Sequence, residues 1–180
     1  VFKRGNTGAE RSVIWAGEAG YLHIERAESY GNETGVGRGV KAGGIPRDQI
    51  FVTAKLWNED MRQNRQQEAF DQSLQDLDMD YVDLYLIHWP VSNFVESWKV
   101  LEDILASKKA RAIGVCNFQI HHLDTLLQSA RVTPAVNQIE RHPLLSPQPL
   151  LRYCEANGLA CAACSPLVGQ AARLLPDTRL

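Results

Sequence analysis

Little in this chain is extreme, and each scarcity excludes something. No apolar run among the 180 residues reaches the roughly 18–20 that a membrane-spanning helix needs. Net charge is nearly nil: 19 Lys and Arg against 21 Asp and Glu leave −2. So there is no broad electrostatic pull towards nucleic acid or an anionic membrane. Cysteines number only four, at 116, 154, 161 and 164. A disulfide framework would spread them through a small chain, whereas these crowd the second half. Cys161 and Cys164 form a C-x-x-C, yet they sit in an apolar run, "LACAACSPL", that reads as a strand and not as a redox or zinc motif. A reduced, cytoplasmic setting is the expectation. Low-complexity stretches and linkers are missing, which makes residues 1–180 one domain. Val1 stands first without a charged-then-apolar leader, so the chain is expected to begin inside a longer product.

What is present is a repeat of pattern. Short β-rich runs fall at Tyr21–Ala27, Ile50–Leu56, Asp83–Trp89, Ala110–Cys116, Ala135–Glu140 and Leu159–Leu167, and Val1–Lys3 resembles the stub of an earlier one. Their starts are 29, 33, 27, 25 and 24 residues apart, enough each time for a strand, a helix and two loops. Amphipathic stretches fill the gaps. Phe70, Leu74 and Leu77 recur at helical spacing, as do Phe94, Trp98, Leu101 and Leu105, and more briefly Leu123, Leu126 and Leu127. Ser146-Pro147 reads as a cap with Pro at the first helical position, and Asn157-Gly158 as a helix stop. Such alternation implies a parallel sheet covered by helices, either open and doubly wound or closed into a barrel. The glycines of "TGVGRG" miss the G-x-G-x-x-G spacing of a dinucleotide turn. They read as a helix face that packs closely.

The strand ends carry the chemistry. Glu25, Lys55, His88, Asn117, Gln138 and Ser165 each stand at or just past an apolar run, and Tyr30 follows the first in its loop. Taken singly, each has an ordinary explanation. Lys55 can snorkel at a rim, His88 can be a satisfied strand-end histidine, Tyr30 a turn residue and Asn117 a helix cap. Together, at the carboxyl ends of parallel strands, they point to one site. The types fit proton delivery to an oxygen. A lysine beside a phenol is expected to lower its pKa from about 10. A carboxylate beyond the lysine orients it, and a histidine at the next strand end either holds a substrate oxygen or joins the proton relay. The hydride must come from a cofactor, since no side chain carries one. His121-His122 do not read as metal ligands, because adjacent helical residues face different ways.

At these residues the chain resembles the aldo-keto reductase family, in "GYLHIERAESYGNETGVGRGV", "FVTAKLWN", "DMDYVDLYLIHWP", "ARAIGVCNF", "VTPAVNQIERHP" and "CSPL". It is most similar to microbial 2,5-diketo-gluconate reductase-like and prostaglandin F synthase-like members. The resemblance implies a (β/α)8 TIM barrel, incomplete here, with about strands 1–7 present and the last strand and helices missing. It implies NADPH-dependent reduction of aldehydes or ketones without a metal, by a monomer acting on a small carbonyl substrate. By position it gives Tyr30 as proton donor with Lys55, His88 and Glu25. Cys116, Asn117, Gln138, Cys164, Ser165 and Leu167 fall on cofactor contacts, and Trp57 and Trp89 on the substrate pocket. Three of these depart from the family pattern. Glu25 replaces an aspartate, Cys164 an aromatic residue that stacks on the nicotinamide, and Cys116 a serine. Glu25, one methylene too long, is expected to miss the lysine or crowd the ribose, and Arg26 beside it adds an unexpected charge. The rival expectations are a non-catalytic nucleotide-binding relative and a cofactor-free barrel isomerase using His88 and Glu25.

Overall fold

The computed structural model describes residues 1–167. Helix α1 (Asn6–Glu18) comes first, then six strands: β1 (His23–Glu25), β2 (Phe51–Leu56), β3 (Val82–Ile87), β4 (Ala110–Cys116), β5 (Val136–Glu140) and β6 (Ala160–Cys164). Between them run α2 (Glu33–Ala42), α3 (Asn58–Arg62), α4 (Gln66–Leu77), α5 (Phe94–Ala106), α6 (Ile120–Leu127) and α7 (Gln148–Ala156). Every strand pairs in parallel with the next, in the order β1-β2-β3-β4-β5-β6. A doubly wound sheet would reverse its order part-way. This one never does, so it winds in one direction, as a barrel must.

One contact measures its curvature. The Gln138 amide on β5 donates to the Glu25 carboxylate on β1. Strands spaced about 4.8 Å apart would hold β1 and β5 about 19 Å apart in a flat sheet, beyond the reach of two side chains. The sheet is therefore curled into a partial barrel with these groups on its concave side. Six strands are described, not seven. Val1–Lys3 forms a turn, because Lys3 takes a left-handed φ of 55° that ends any extended run.

The helical stripes cover the convex face. Phe70 of α4 meets Tyr85 of β3 edge-on, with centroids 4.7 Å apart, and all six residues of β3 are buried. Trp98 of α5 is buried and its indole N–H donates to the Val132 carbonyl at 3.2 Å. The glycines of α2 do pack as a close-approach face. A Cβ on Gly37 would lie 2.7 Å from the Leu77 carbonyl carbon of α4, and nearer still to its oxygen. Helix α7 starts one residue later than its sequence implies. Pro147 keeps a ψ of 75°, outside the helix, and the Gln148 N–H turns back to the Ser146 carbonyl at 2.8 Å. Its end at Asn157, followed by Gly158 at φ 75°, is as expected. Cys161 and Cys164 both lie on β6 as free thiols. No described helix is long and apolar enough to cross a membrane.

Candidate active site

The site grows from the carboxyl ends of the strands. Strand β1 ends at Glu25, and the ladder continues one step as the Arg26 N–H donates to the Thr53 carbonyl at 3.1 Å. A single 3-10 turn, Glu28–Tyr30, follows and is closed by Gly31 at φ 61°. That turn folds Tyr30 back over the strand ends, where its ring centroid lies 6.4 Å from that of His88 and 5.0 Å from that of Phe2. Lys55, near the end of β2, is 1% exposed. It does not snorkel: its Nζ donates to Glu25 Oε1 at 2.8 Å. So Glu25 does not miss the lysine. Its extra methylene carries the second carboxylate oxygen to Gln138.

His88 extends β3 through its backbone N–H, which donates to the Leu56 carbonyl at 3.2 Å. Its buried Nδ1 has no hydrogen-bond partner among the described residues, so it is not a satisfied strand-end histidine. Trp57 stands edge-on to its ring at 5.1 Å and Trp89 stacks at 6.4 Å, with Trp89 exposed. Asn117, just past β4, takes a φ of 65° and turns inward, where its amide donates to the His88 carbonyl at 3.0 Å. The Cys116 thiol donates to Gln138 Oε1 at 3.5 Å. Ser165 and Leu167 lie beyond β6, Ser165 at φ 49° and Leu167 exposed.

The electrostatics depart from expectation at one point. The Tyr30 phenol is pushed up to about 12, by burial first and then by the Glu25 carboxylate. The expected lowering by a lysine does not appear, because the Lys55 ammonium is paired with that same carboxylate. For Glu25, burial works against ionisation, but Lys55 and the Gln138 amide outweigh it and hold the carboxyl below its ordinary value. Burial, helped by the Lys55 charge, lowers His88 to about 4, so its imidazole is neutral at physiological pH. Burial takes the Cys116 thiol to about 12, which makes it a weak donor and no nucleophile. The site thus holds a protonated phenol, a neutral imidazole, a buried ammonium paired with a partly exposed carboxylate, and two side-chain amides. Volume does not mark this place. A cavity of about 960 Å³ opens at the opposite ends of the strands, beside Tyr81 and Lys109.

A scan against family models matches the Aldo/keto reductase family over residues 8–174. The chain belongs to the aldo/keto reductase family. It is 47% identical over 167 residues to a 9,11-endoperoxide prostaglandin H2 reductase of Trypanosoma cruzi, covering 91% of this chain and 59% of that one. Against a glyoxal reductase of Bacillus subtilis it is 46% identical, covering 93% and 62%. The chain thus spans about three fifths of these relatives' length. Among solved structures, an aldo/keto reductase from Brucella melitensis superposes with a TM-score of 0.89 at 42% identity, covering 91% of this chain and 65% of that one. A Bombyx mori aldo-keto reductase in complex with NADP gives 0.85 at 35% identity, covering 91% and 58%. This aldo/keto reductase chain is therefore an incomplete barrel of the family's (β/α)8 kind.

Sequence reasoning missed three contributors. Arg26 is fully buried and pairs with Glu33 at the start of α2, where burial pushes its guanidinium pKa down and that of Glu33 up. Glu28 accepts the Trp57 N–H at 3.2 Å and so ties the turn bearing Tyr30 to the loop after β2. Phe2 lies against the Tyr30 ring. Only Arg26 left a trace, as an unexpected charge beside Glu25.

Proposed function

We propose that this protein reduces an aldehyde or ketone to an alcohol with NADPH, Tyr30 giving the proton. The observation that carries this reading is the convergence of Tyr30, Lys55, Glu25 and His88 at the ends of β1, β2 and β3. When bound, the cofactor supplies the hydride. The chain's own residues do the rest. Asn117 and Gln138 offer side-chain amides at the ends of neighbouring strands; the Asn117 NH2 is committed to the His88 carbonyl and the Cys116 sulfur, so both side chains meet a nicotinamide carboxamide through their oxygens, as acceptors of its NH2. The neutral His88 and the Tyr30 hydroxyl hold the carbonyl oxygen, with Trp57 and Trp89 flanking the substrate. A phenol held at about 12 keeps its proton until that oxygen becomes basic enough to take it. The Arg26 charge favours the phenolate left behind, while the Lys55 ammonium is engaged by Glu25. Ser165 and Leu167 line the cofactor's phosphate path in this reading. Relatives named as glyoxal and methylglyoxal reductases favour a small carbonyl substrate. The four free cysteines fit a reducing, cytoplasmic setting.

The test is NADPH oxidation by the full-length protein with glyoxal, methylglyoxal and bulkier aldehydes, comparing wild type with Tyr30→Phe. The variant keeps its NADPH affinity and loses about 10²- to 10⁴-fold in kcat. Undiminished turnover would remove Tyr30 from the mechanism. Cys164 favours a second reading, since a thiol at that position of β6 cannot stack as a flat ring does. In that reading the protein binds the nucleotide without turnover. NADPH that quenches tryptophan fluorescence, with no aldehyde reduced, would establish it.

A further inference from the structure

We infer that Glu25 is a positioning residue with two targets, which sets the orientation of the Gln138 amide and through it the grip on the nicotinamide carboxamide. This rests on the reading above and adds a coupling between two of its residues. The Glu25 carboxylate accepts from Lys55 Nζ at 2.8 Å through one oxygen and from Gln138 Nε2 through the other. Its partners are almost fully buried, Lys55 1% and Gln138 4% exposed, so neither has water as an alternative. An ionised carboxylate only accepts, so it selects the rotamer of Gln138 that presents its NH2. The opposite rotamer would set two acceptors face to face. With Nε2 held towards β1, Gln138 Oε1 must face β4, where it accepts from the Cys116 thiol at 3.5 Å. That bond is weak, and an sp² oxygen has a second lone pair. Gln138 therefore meets the cofactor's amide as an acceptor, on the side where Asn117 lies. Shortening Glu25 by one methylene leaves a carboxylate able to reach only one of its two partners. Lys55 holds it, because the charged pair is the stronger attraction. Gln138 is then free to turn.

The experiment is a double-mutant cycle on the full-length protein with Glu25→Asp and Gln138→Met, read by tryptophan quenching with NADPH and, separately, with 2′-phospho-ADP-ribose, which lacks the nicotinamide. Thermal melts of each variant check folding. Glu25→Asp is expected to weaken NADPH binding roughly fivefold, about the net worth of one hydrogen bond, and to leave the nicotinamide-free probe unchanged. In the Gln138→Met background the same change should have no further effect. If Glu25→Asp weakens NADPH equally with and without Gln138, the coupling is refuted while the reductase reading stands. Unchanged NADPH affinity in Glu25→Asp also refutes it. Wild-type protein that binds neither probe would instead overturn the cofactor reading itself. Should Glu25→Asp fail to fold, Gln138→Met alone decides: NADPH affinity equal to wild type refutes the inference.

Discussion

Replacing Gly37 by alanine should destabilise the protein, although it puts a better helix former into α2. The exchange of Gly for Ala inside a helix is worth about 1 kcal/mol in favour of Ala. Against this stands the new methyl group, 2.7 Å from the Leu77 carbonyl carbon and 3.0 Å from its Cα. Carbon atoms rest at about 3.5–4.0 Å, so the two helices must part by about 1 Å. The obstacle is backbone and cannot rotate aside. Leu77 is fully buried, so moving it disturbs the core beneath. Overpacking of this kind costs about 1–3 kcal/mol, and a rigid neighbour places it at the upper end. The net loss is about 2 kcal/mol, or a Tm lowered by about 4–8 °C in a protein of this size. Gly17→Ala in α1 is the control. There the nearest atom is the tip of Ile45, 3.1 Å away, a side-chain end that can swing clear. That variant should be neutral or up to about 1 kcal/mol more stable. Urea unfolding of both, followed by circular dichroism, measures the difference. A Gly37→Ala protein as stable as wild type would refute the steric reasoning, as would two variants shifted alike.

Further outcomes concern pH and the far end of the strands. Burial lowers His88 to about 4, so its contribution is full above its ordinary 6.5 and is lost as pH falls through 4. Glu28 runs the other way. Burial, then Asp60 beside it, raises its carboxyl to about 7, so its contribution is full below 4.5 and is lost as pH rises through 7. Glu28→Gln should therefore gain stability relative to wild type between pH 5 and pH 8. Parallel stability curves for the two proteins would exclude this. Asp83→Ala should lower the melting temperature, through about 1–3 kcal/mol for a Val52 N–H left without its acceptor and the lost pairing to two partly exposed arginines, with kcat unchanged in the same preparation.

How much was legible depended on range. The parallel strands and the stripes of α4 and α5 could be read because each declares itself within a dozen residues. The polar residues at strand ends could be read because a buried charge is costly enough to need a reason. Helix α1 escaped because only Ala9 and Val13 of it are buried, too sparse a stripe beside two glycines. The direction of the Tyr30 shift escaped for a deeper reason. Proximity of a lysine can be guessed from order along the chain, but the burial of the phenol and the pairing of that lysine with Glu25 are properties of the folded molecule. The bond between Glu25 and Gln138 joins residues 113 apart, and only the curl of the sheet brings them together.

At the amino-terminal side of the sheet, the buried Asp83 accepts the Val52 N–H at 2.9 Å and pairs with Arg47 and Arg111 at 2.9 and 3.1 Å. Both guanidinium groups lie against the Tyr81 ring, at 4.0 and 4.6 Å. This rivet fastens β2, β3 and β4 without borrowing any group from the rim that bears Lys55 and His88. The anchor and the candidate site thus occupy different ends of the same strands. With the two ends separated in this way, a substitution at the rim leaves the scaffold anchored from below.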